Sequence, residues 1–217
     1  MNLDNLNGYF TYISHKLLTR TMAISGYAQG LEYGVISPEK AGSFIQKESA
    51  ALSEDIRRLM SLAALDNKKA VEVPTSVPVI ELLENCTDCF YASAKQKGII
   101  FSIQKSAKEI YITGYEDYLE EILDNLFSNA VRYAKREIFL SVQTADDKVI
   151  VTVADDGDGI SEKDMPHIFE RFYKGKNGYF GLGLPIARSA AERMGGTLTA
   201  ENGENGGAVF TLTLKAG

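Results

Sequence analysis

The feature that most restricts this chain is a change of hydrophobic period along it. From Leu3, apolar residues recur at Leu6, Phe10, Ile13, Leu17, Ile24 and Leu31, with Arg20 and Tyr27 in the intervening places. Steps of three and four mark the a and d positions of a heptad, a pattern that suits helices packed side by side. Gly30, Gly34 and Pro38 then punctuate a turn. Ser37-Pro38-Glu39 supplies a serine cap with proline at the first helical position. A second seam follows at Ile45, Leu52, Ile56, Leu59 and Ala63. Two seamed helices joined by a short turn form an antiparallel hairpin, expected over residues 1–66. One hairpin has too little core to stand alone, so pairing into a four-helix bundle, and hence a homodimer, is expected.

Residues 66–78 (DNKKAVEVPTSVP) are charged, hold two prolines and carry no seam. They read as a linker over 67–78 or as a short leading strand. Beyond them the pattern mixes periods. VIELLENCTDCFYASAKQK reads as a helix, and IIFSIQ and EIYITG as strands. EDYLEEILDNLFSNAVRYA is a helix, EIFLSVQTA and KVIVTVADD are strands separated by Asp146-Asp147, and GLPIARSAAERMG is a helix. GTLTAEN and GAVFTLTLK close the chain as strands. No βαβ repeat runs through this region. The fold class is therefore α+β: the helical hairpin, then an α/β sandwich over 79–217 with helices on one face of a mixed sheet.

Composition excludes some functions. Apolar residues make up 45% of the 217, enough for a sizeable core. A net charge of −6 and a pI of 5.1 argue against nucleic-acid binding, which needs a basic footprint. Cys86 and Cys89 are spaced C-x-x-C, but without a second pair the spacing is a weak metal signal, and small thiols i, i+3 in a helix are ordinary core residues. No run of 18 apolar residues and no signal peptide is visible, so the reducing cytoplasm is the expected compartment.

Three constellations carry chemistry. In DNLFSNAVRY, Asn125 and Asn129 are i, i+4 and project from one helix face. Two amide oxygens there suit Mg²⁺, which takes few protein ligands and shares itself with phosphate oxygens. Arg132, one turn on, can reach phosphate, and Tyr133 offers a ring for stacking. In VTVADDGDGI, Asp155 ends an apolar strand and is followed by Gly157 and Gly159. A carboxylate at a strand end can accept from an exocyclic amine such as that of adenine, while the glycines let backbone approach the flat base. In GKNGYFGLGLPIARSAAERMGG, Gly175, Gly178, Gly181 and Gly183 run into a helix whose first N–H groups can hold phosphate. No Gly-Lys-Ser/Thr follows, so this is not a Walker loop.

In their order and spacing these segments resemble the ATP-binding catalytic domain of sensor histidine kinases, shared more distantly with DNA gyrase and a heat-shock chaperone. NLFSNAVRY is similar to that family's asparagine box, DDGDGI to its first glycine box, HIFERFYKG to its phenylalanine box and GYFGLGLPIAR to its second glycine box. The resemblance implies an ATP·Mg²⁺ site in which Asp155 reads adenine, Asn129 holds the metal with Asn125 assisting, and Tyr133 packs by the base. Hydrolytic relatives carry a glutamate where this chain has Asn125. An amide cannot take a proton from water, so the site is suited to holding ATP for another nucleophile.

That nucleophile is expected near the N-terminus. FTYISHKLLTRTMAISGYAQGL resembles the family's histidine box, F-x-x-x-S-H-E-L-R-T-P-L, with Phe10, Ser14, His15, Leu17, Thr19, Gly26 and Tyr27 in matching places. His15 falls at an f position, opposite the seam, where a neutral imidazole can attack a γ-phosphate. The resemblance implies autophosphorylation of His15, transfer to an aspartate of a response regulator receiver domain, and regulator dephosphorylation supported by Thr19. Three residues depart from the pattern. Lys16 stands for the usual acid, Leu18 for the usual base and Arg20 for the usual proline. Lys16 cannot accept a hydrogen bond and opposes the positive charge that develops on the imidazole, so impaired autophosphorylation is expected. The alternative is a catalytically weak nucleotide-binding signalling module. Arg20, at a d position, should loosen the packing or find an acidic partner. The family's membrane helices and sensor domain imply that this is the cytoplasmic part of a longer protein anchored in the cell membrane.

Overall fold

The computed structural model describes residues 3–66, 73–105, 109–173, 181–204 and 206–217. The chain divides into two compact units, Met1–Ala63 and Ala64–Gly217.

The first unit is a hairpin of α1 (Leu3–Glu32) and α2 (Pro38–Asp66). Its turn is closed by the Gly30 carbonyl, which accepts from Val35 N at 2.9 Å and Ile36 N at 3.1 Å. A Cβ at Gly30 would lie 2.5 Å from the tip of the Ile36 side chain, which packs directly on the glycine. Ser37 caps α2 through Lys40 N at 3.4 Å. Beside the turn, Tyr27 stacks on Phe44 with centroids 3.6 Å apart. Ile13 and Ala41 are buried between the helices.

Arg20 finds acidic partners. Its Nη1 lies 2.5 Å from Glu48 Oε2 and its Nε 2.9 Å from Asp55 Oδ2. Burial pulls the guanidinium's pKa down, but its hydrogen bond to Glu48 and the charge of Asp55 outweigh it and hold it above its ordinary value. The ions compensate one another, which is how the seam tolerates a cation at a core position. In the second helix an acid lies beside the seam. Asp55 is only 4% exposed, and the neighbouring seam residue Ile56 is 43% exposed in the single hairpin.

The second unit is built on a five-stranded sheet. Its strands are β2 (Ile100–Lys105), β4 (Glu137–Ala145), β5 (Lys148–Asp155), β6 (Thr197–Asn202) and β7 (Ala208–Lys215), in the order β2-β4-β5-β7-β6. β2 runs parallel to β4 and every other pair is antiparallel, the mixed sheet expected. β4 and β5 are joined at Asp146-Asp147, both in the left-handed region (φ 49° and 58°), as a two-residue hairpin turn requires. Thr75–Pro78, inside the segment read as a linker or a short leading strand, forms strand β1 and pairs with β3 (Tyr111–Gly114) in a small second sheet. Residues 67–72 of that segment lie outside the described residues.

Helices α3 (Val79–Gln96), α4 (Glu116–Tyr133) and α5 (Gly183–Arg193) pack with one another and with the large sheet. Alternation selects the sheet's inner face. Val149, Val151 and Val153 of β5 pair with Leu214, Leu212 and Phe210 of β7, and all six are buried. Leu119, Ile122, Leu123, Leu126 and Phe127 give α4 a sealed stripe against them. Cys86 is buried in α3, where desolvation first, and then the charge of Asp124, push its thiol up to about 12; Cys89 is exposed. At that pKa the Cys86 thiol is inert. Among the described residues, no three or more His, Cys, Asp or Glu side chains are grouped so as to hold a metal ion.

Candidate nucleotide site and phosphoacceptor histidine

The site in the second unit forms where α4, β5 and α5 end or begin. α4 has Glu116 and Asp117 in its first turn, favourable at the positive end of the helix dipole. Its last turns carry Asn125, Asn129, Arg132 and Tyr133. Asn125 is buried, and its Nδ2 donates to the Glu121 carbonyl at 2.7 Å and to Glu121 Oε1 at 2.9 Å. Its Oδ1 lies under the first residue of α5: a Cβ at Gly183 would come within 2.7 Å of it. Asn129 is half-buried, with no hydrogen-bond partner among the described residues. Tyr133 is 40% exposed, and the Arg132 guanidinium lies 6.0 Å from its ring centre.

Asp155, the last residue of β5, is 8% exposed. Its Oδ1 accepts from Gly157 N at 2.9 Å and from Ala208 N at 3.4 Å. No described donor reaches Oδ2. Burial raises the carboxyl's pKa above the ordinary range, against the pull of the two backbone N–H groups. Gly157 is required by close approach, since a Cβ there would lie 2.5 Å from the Tyr133 carbonyl oxygen. Gly159 is required by its φ of +75°. Asp156 fixes the other side of the loop, its carboxylate accepting from Lys135 N at 2.8 Å and Arg136 N at 3.0 Å. Burial pushes Asp156 upward, but these backbone hydrogen bonds outweigh it and leave its pKa lowered.

α5 begins at Gly183 with no side-chain cap, so its first N–H groups are open to an anion. Just before it, Gly181 returns to the phenylalanine-box segment, where its carbonyl accepts from Phe172 N at 2.5 Å. Phe172 holds a φ of 71°, a costly conformation for a bulky residue. Gly175 and Gly178 lie outside the described residues. Close contacts thus set Gly183 of α5 against Asn125 of α4, and Gly157 against Asp155 of β5 and the Tyr133 carbonyl at the end of α4, while Gly159 lies on Asn202 and Gly181 on Phe172 and Tyr173. Sequence reasoning missed Asp156, Ala208 and Asn202, whose side-chain or backbone groups hold the loop in place; asparagine at a strand end before a glycine-rich turn was the one available signal.

In the first unit, His15 and Thr19 are exposed on α1 and Lys16 is half-buried. Thr19 Oγ1 donates to the His15 carbonyl at 2.7 Å, placing the hydroxyl one turn along the helix from the imidazole. The other histidine, His167, pairs with Glu170 at 2.9 Å. No described helix is long and apolar enough to cross a membrane.

Residues 114–217 match the family of histidine kinase-, DNA gyrase B- and HSP90-like ATPases, which defines the second unit as an ATP-binding domain of that class. Sensor histidine kinase YcbM of Bacillus subtilis is 30% identical over 225 residues, spanning 98% of this chain and 72% of that protein. The signal transduction histidine-protein kinase AfsQ2 of Streptomyces coelicolor is 31% identical over 221 residues, 93% of this chain but 40% of its own length. The fold is that of histidine kinase ThkA in its complex with response regulator protein TrrA, with a TM-score of 0.80 at 22% identity over 99% of this chain and 63% of that one. The chain belongs to the sensor histidine kinases.

Proposed function

We propose that this chain is the kinase core of a two-component sensor, which binds ATP with Mg²⁺, takes the γ-phosphoryl group on His15 and passes it to an aspartate of a response regulator receiver domain. The observation that carries the reading is Asp155: a buried carboxylate with one oxygen anchored by backbone and the other unpartnered, at the base of a glycine-lined loop. An oxygen so placed suits the exocyclic amine of adenine, with Tyr133 beside the base. Arg132 and the uncapped N-terminus of α5 at Gly183, with Gly181 just before it, are suited to the phosphates. Asn129, unpartnered and half-buried, fits a Mg²⁺ ligand, with Asn125 Oδ1 as the assisting oxygen. The metal would neutralise phosphate charge.

In the transfer, a nitrogen of the His15 imidazole attacks the γ-phosphorus. The P–N bond forms as the P–O bond to ADP breaks, and the imidazole proton passes to solvent. Asn125 cannot activate water for the competing hydrolysis. Two exposed apolar pairs at i, i+4 support a homodimer: Leu18 (59%) and Met22 (65%) on α1, and Ile56 (43%) and Met60 (68%) on α2. A second hairpin would cover them. The chain fits the cytoplasmic side of a membrane-anchored parent.

Incubation with γ-labelled ATP and Mg²⁺ tests this. Acid-labile, alkali-stable label should appear, and His15→Gln should abolish it while leaving ATP affinity unchanged. Intact ATP binding with no label in the wild type would favour the nucleotide-binding module instead. Thr19, exposed one turn from His15, supports a second activity: orienting water against a receiver domain's aspartyl phosphate. Thr19→Ala should slow release of phosphate from a phosphorylated receiver domain by about tenfold or more while sparing His15 labelling; equal release rates would refute the role.

A further inference from the structure

We propose that Asn202 is a positioning residue for the adenine loop, acting through Ile160 without touching nucleotide. The inference rests on the reading that adenine is held at Asp155. Asn202 ends β6, in register with Ala208 of β7. Its Oδ1 accepts from Ile160 N at 2.7 Å, and its Nδ2 donates to Ile160 O at 2.7 Å. One amide therefore satisfies both backbone groups of a single residue, as a neighbouring strand would, across 42 residues of sequence. The loop lies directly on this amide: a Cβ at Gly159 would come within 2.8 Å of Asn202 Oδ1.

Hydrogen bonds to backbone groups hold the loop at three places, and an exposed ion pair of Asp158 with Lys135 (2.5 Å) lies between the second and the third. Its first residue, Asp155, is tied to β7 through Ala208 N at 3.4 Å. Its second, Asp156, holds Lys135 N and Arg136 N. Its last, Ile160, is held by Asn202 alone among the described residues. Between the second and third pins lie Gly157 and Gly159, the positions with the most backbone freedom. Fixing the backbone of one residue costs about 1–2 kcal/mol. A loop already held by Asn202 has met that cost before the nucleotide arrives, which raises affinity without adding a contact to the ligand. The register pairing of Asn202 with Ala208 makes the β6–β7 hairpin a single clamp, one strand reaching Asp155 and the other Ile160.

The test uses the full chain, with ADP and ATP as probes in the presence of Mg²⁺. Asn202→Ala should weaken ADP binding by about tenfold, the worth of one to two partly exposed hydrogen bonds. The KM for ATP in His15 labelling should rise by the same factor with kcat unchanged. The side chain is exposed at a strand end, so the thermal midpoint of the nucleotide-free protein should stay at the wild-type value. Asn202→Asp keeps the acceptor for Ile160 N and loses the donor to Ile160 O, and should fall between the two. Faster hydrogen exchange at the Ile160 amide in Asn202→Ala should accompany the loss. Unchanged ADP affinity and KM in a variant whose wild type binds normally would overturn the inference, as would a fall in kcat together with the nucleotide-free midpoint. Failure of the wild type to bind ADP or ATP would instead remove the adenine reading itself.

Discussion

Changing Lys16 to glutamate should speed phosphorylation of His15 by about a hundredfold or more, within the range a positioned acid or base contributes. Lys16 follows the exposed His15 on α1 and is half-buried itself. Two effects of the lysine can be separated by size. Its charge opposes the cation forming on the imidazole, and between exposed unit charges about 4 Å apart that costs about 1 kcal/mol, roughly a fivefold change in rate. The missing carboxylate is the larger loss, since it would orient the ring, stabilise the developing charge and accept a proton. Lys16→Met should therefore recover only about fivefold, and Lys16→Glu most of the deficit. Affinity for ATP should not move in either, because position 16 belongs to the helical unit and nucleotide to the other. The measurement is the initial rate of acid-labile labelling at saturating ATP. Equal rates for Met and Glu at this position would show that removing the lysine is all that matters and would refute the role given to a carboxylate.

The helical hairpin was legible because a heptad has one structural solution, and the sheet because its strands alternate. What remained hidden was what depends on partners distant in the chain. Arg20 could be read as needing an acid, but not which; Glu48 and Asp55 lie 28 and 35 residues on. Thr75–Pro78 lacked a pattern because its order comes from β3, more than thirty residues later. Within the nucleotide site the residue types and spacing of the glycine loop were visible. The groups that give the loop its shape were not, since a backbone N–H such as that of Ala208 has no signature in a sequence, and Asn202 reads as an ordinary turn residue.

Asp155→Asn separates stability from binding in opposite directions. Asparagine keeps an oxygen for Gly157 N and Ala208 N, so the backbone around it should survive. The second position becomes an NH₂ group where the adenine amine would donate, so donor faces donor. Losing a hydrogen bond to a charged group costs about 1.5–3 kcal/mol, and ATP affinity should fall by roughly 10- to 150-fold. The nucleotide-free protein should gain stability. Burial raises the Asp155 pKa above its ordinary value, so the folded state holds that proton more readily than the unfolded state. Its contribution is then greatest below the unfolded pKa and is lost as pH rises through the folded pKa. At neutral pH the buried charge opposes folding, and a neutral isostere removes the opposition. The same displacement predicts that wild-type ATP affinity weakens on acidification at a pH above that of an ordinary aspartate, and that Asp155→Asn lacks this step. Calorimetric titration and thermal unfolding of the two proteins over pH 4 to 8 read both effects. Weaker binding with a lower nucleotide-free midpoint would mean that the variant had damaged the fold, and undiminished binding would place adenine away from Asp155.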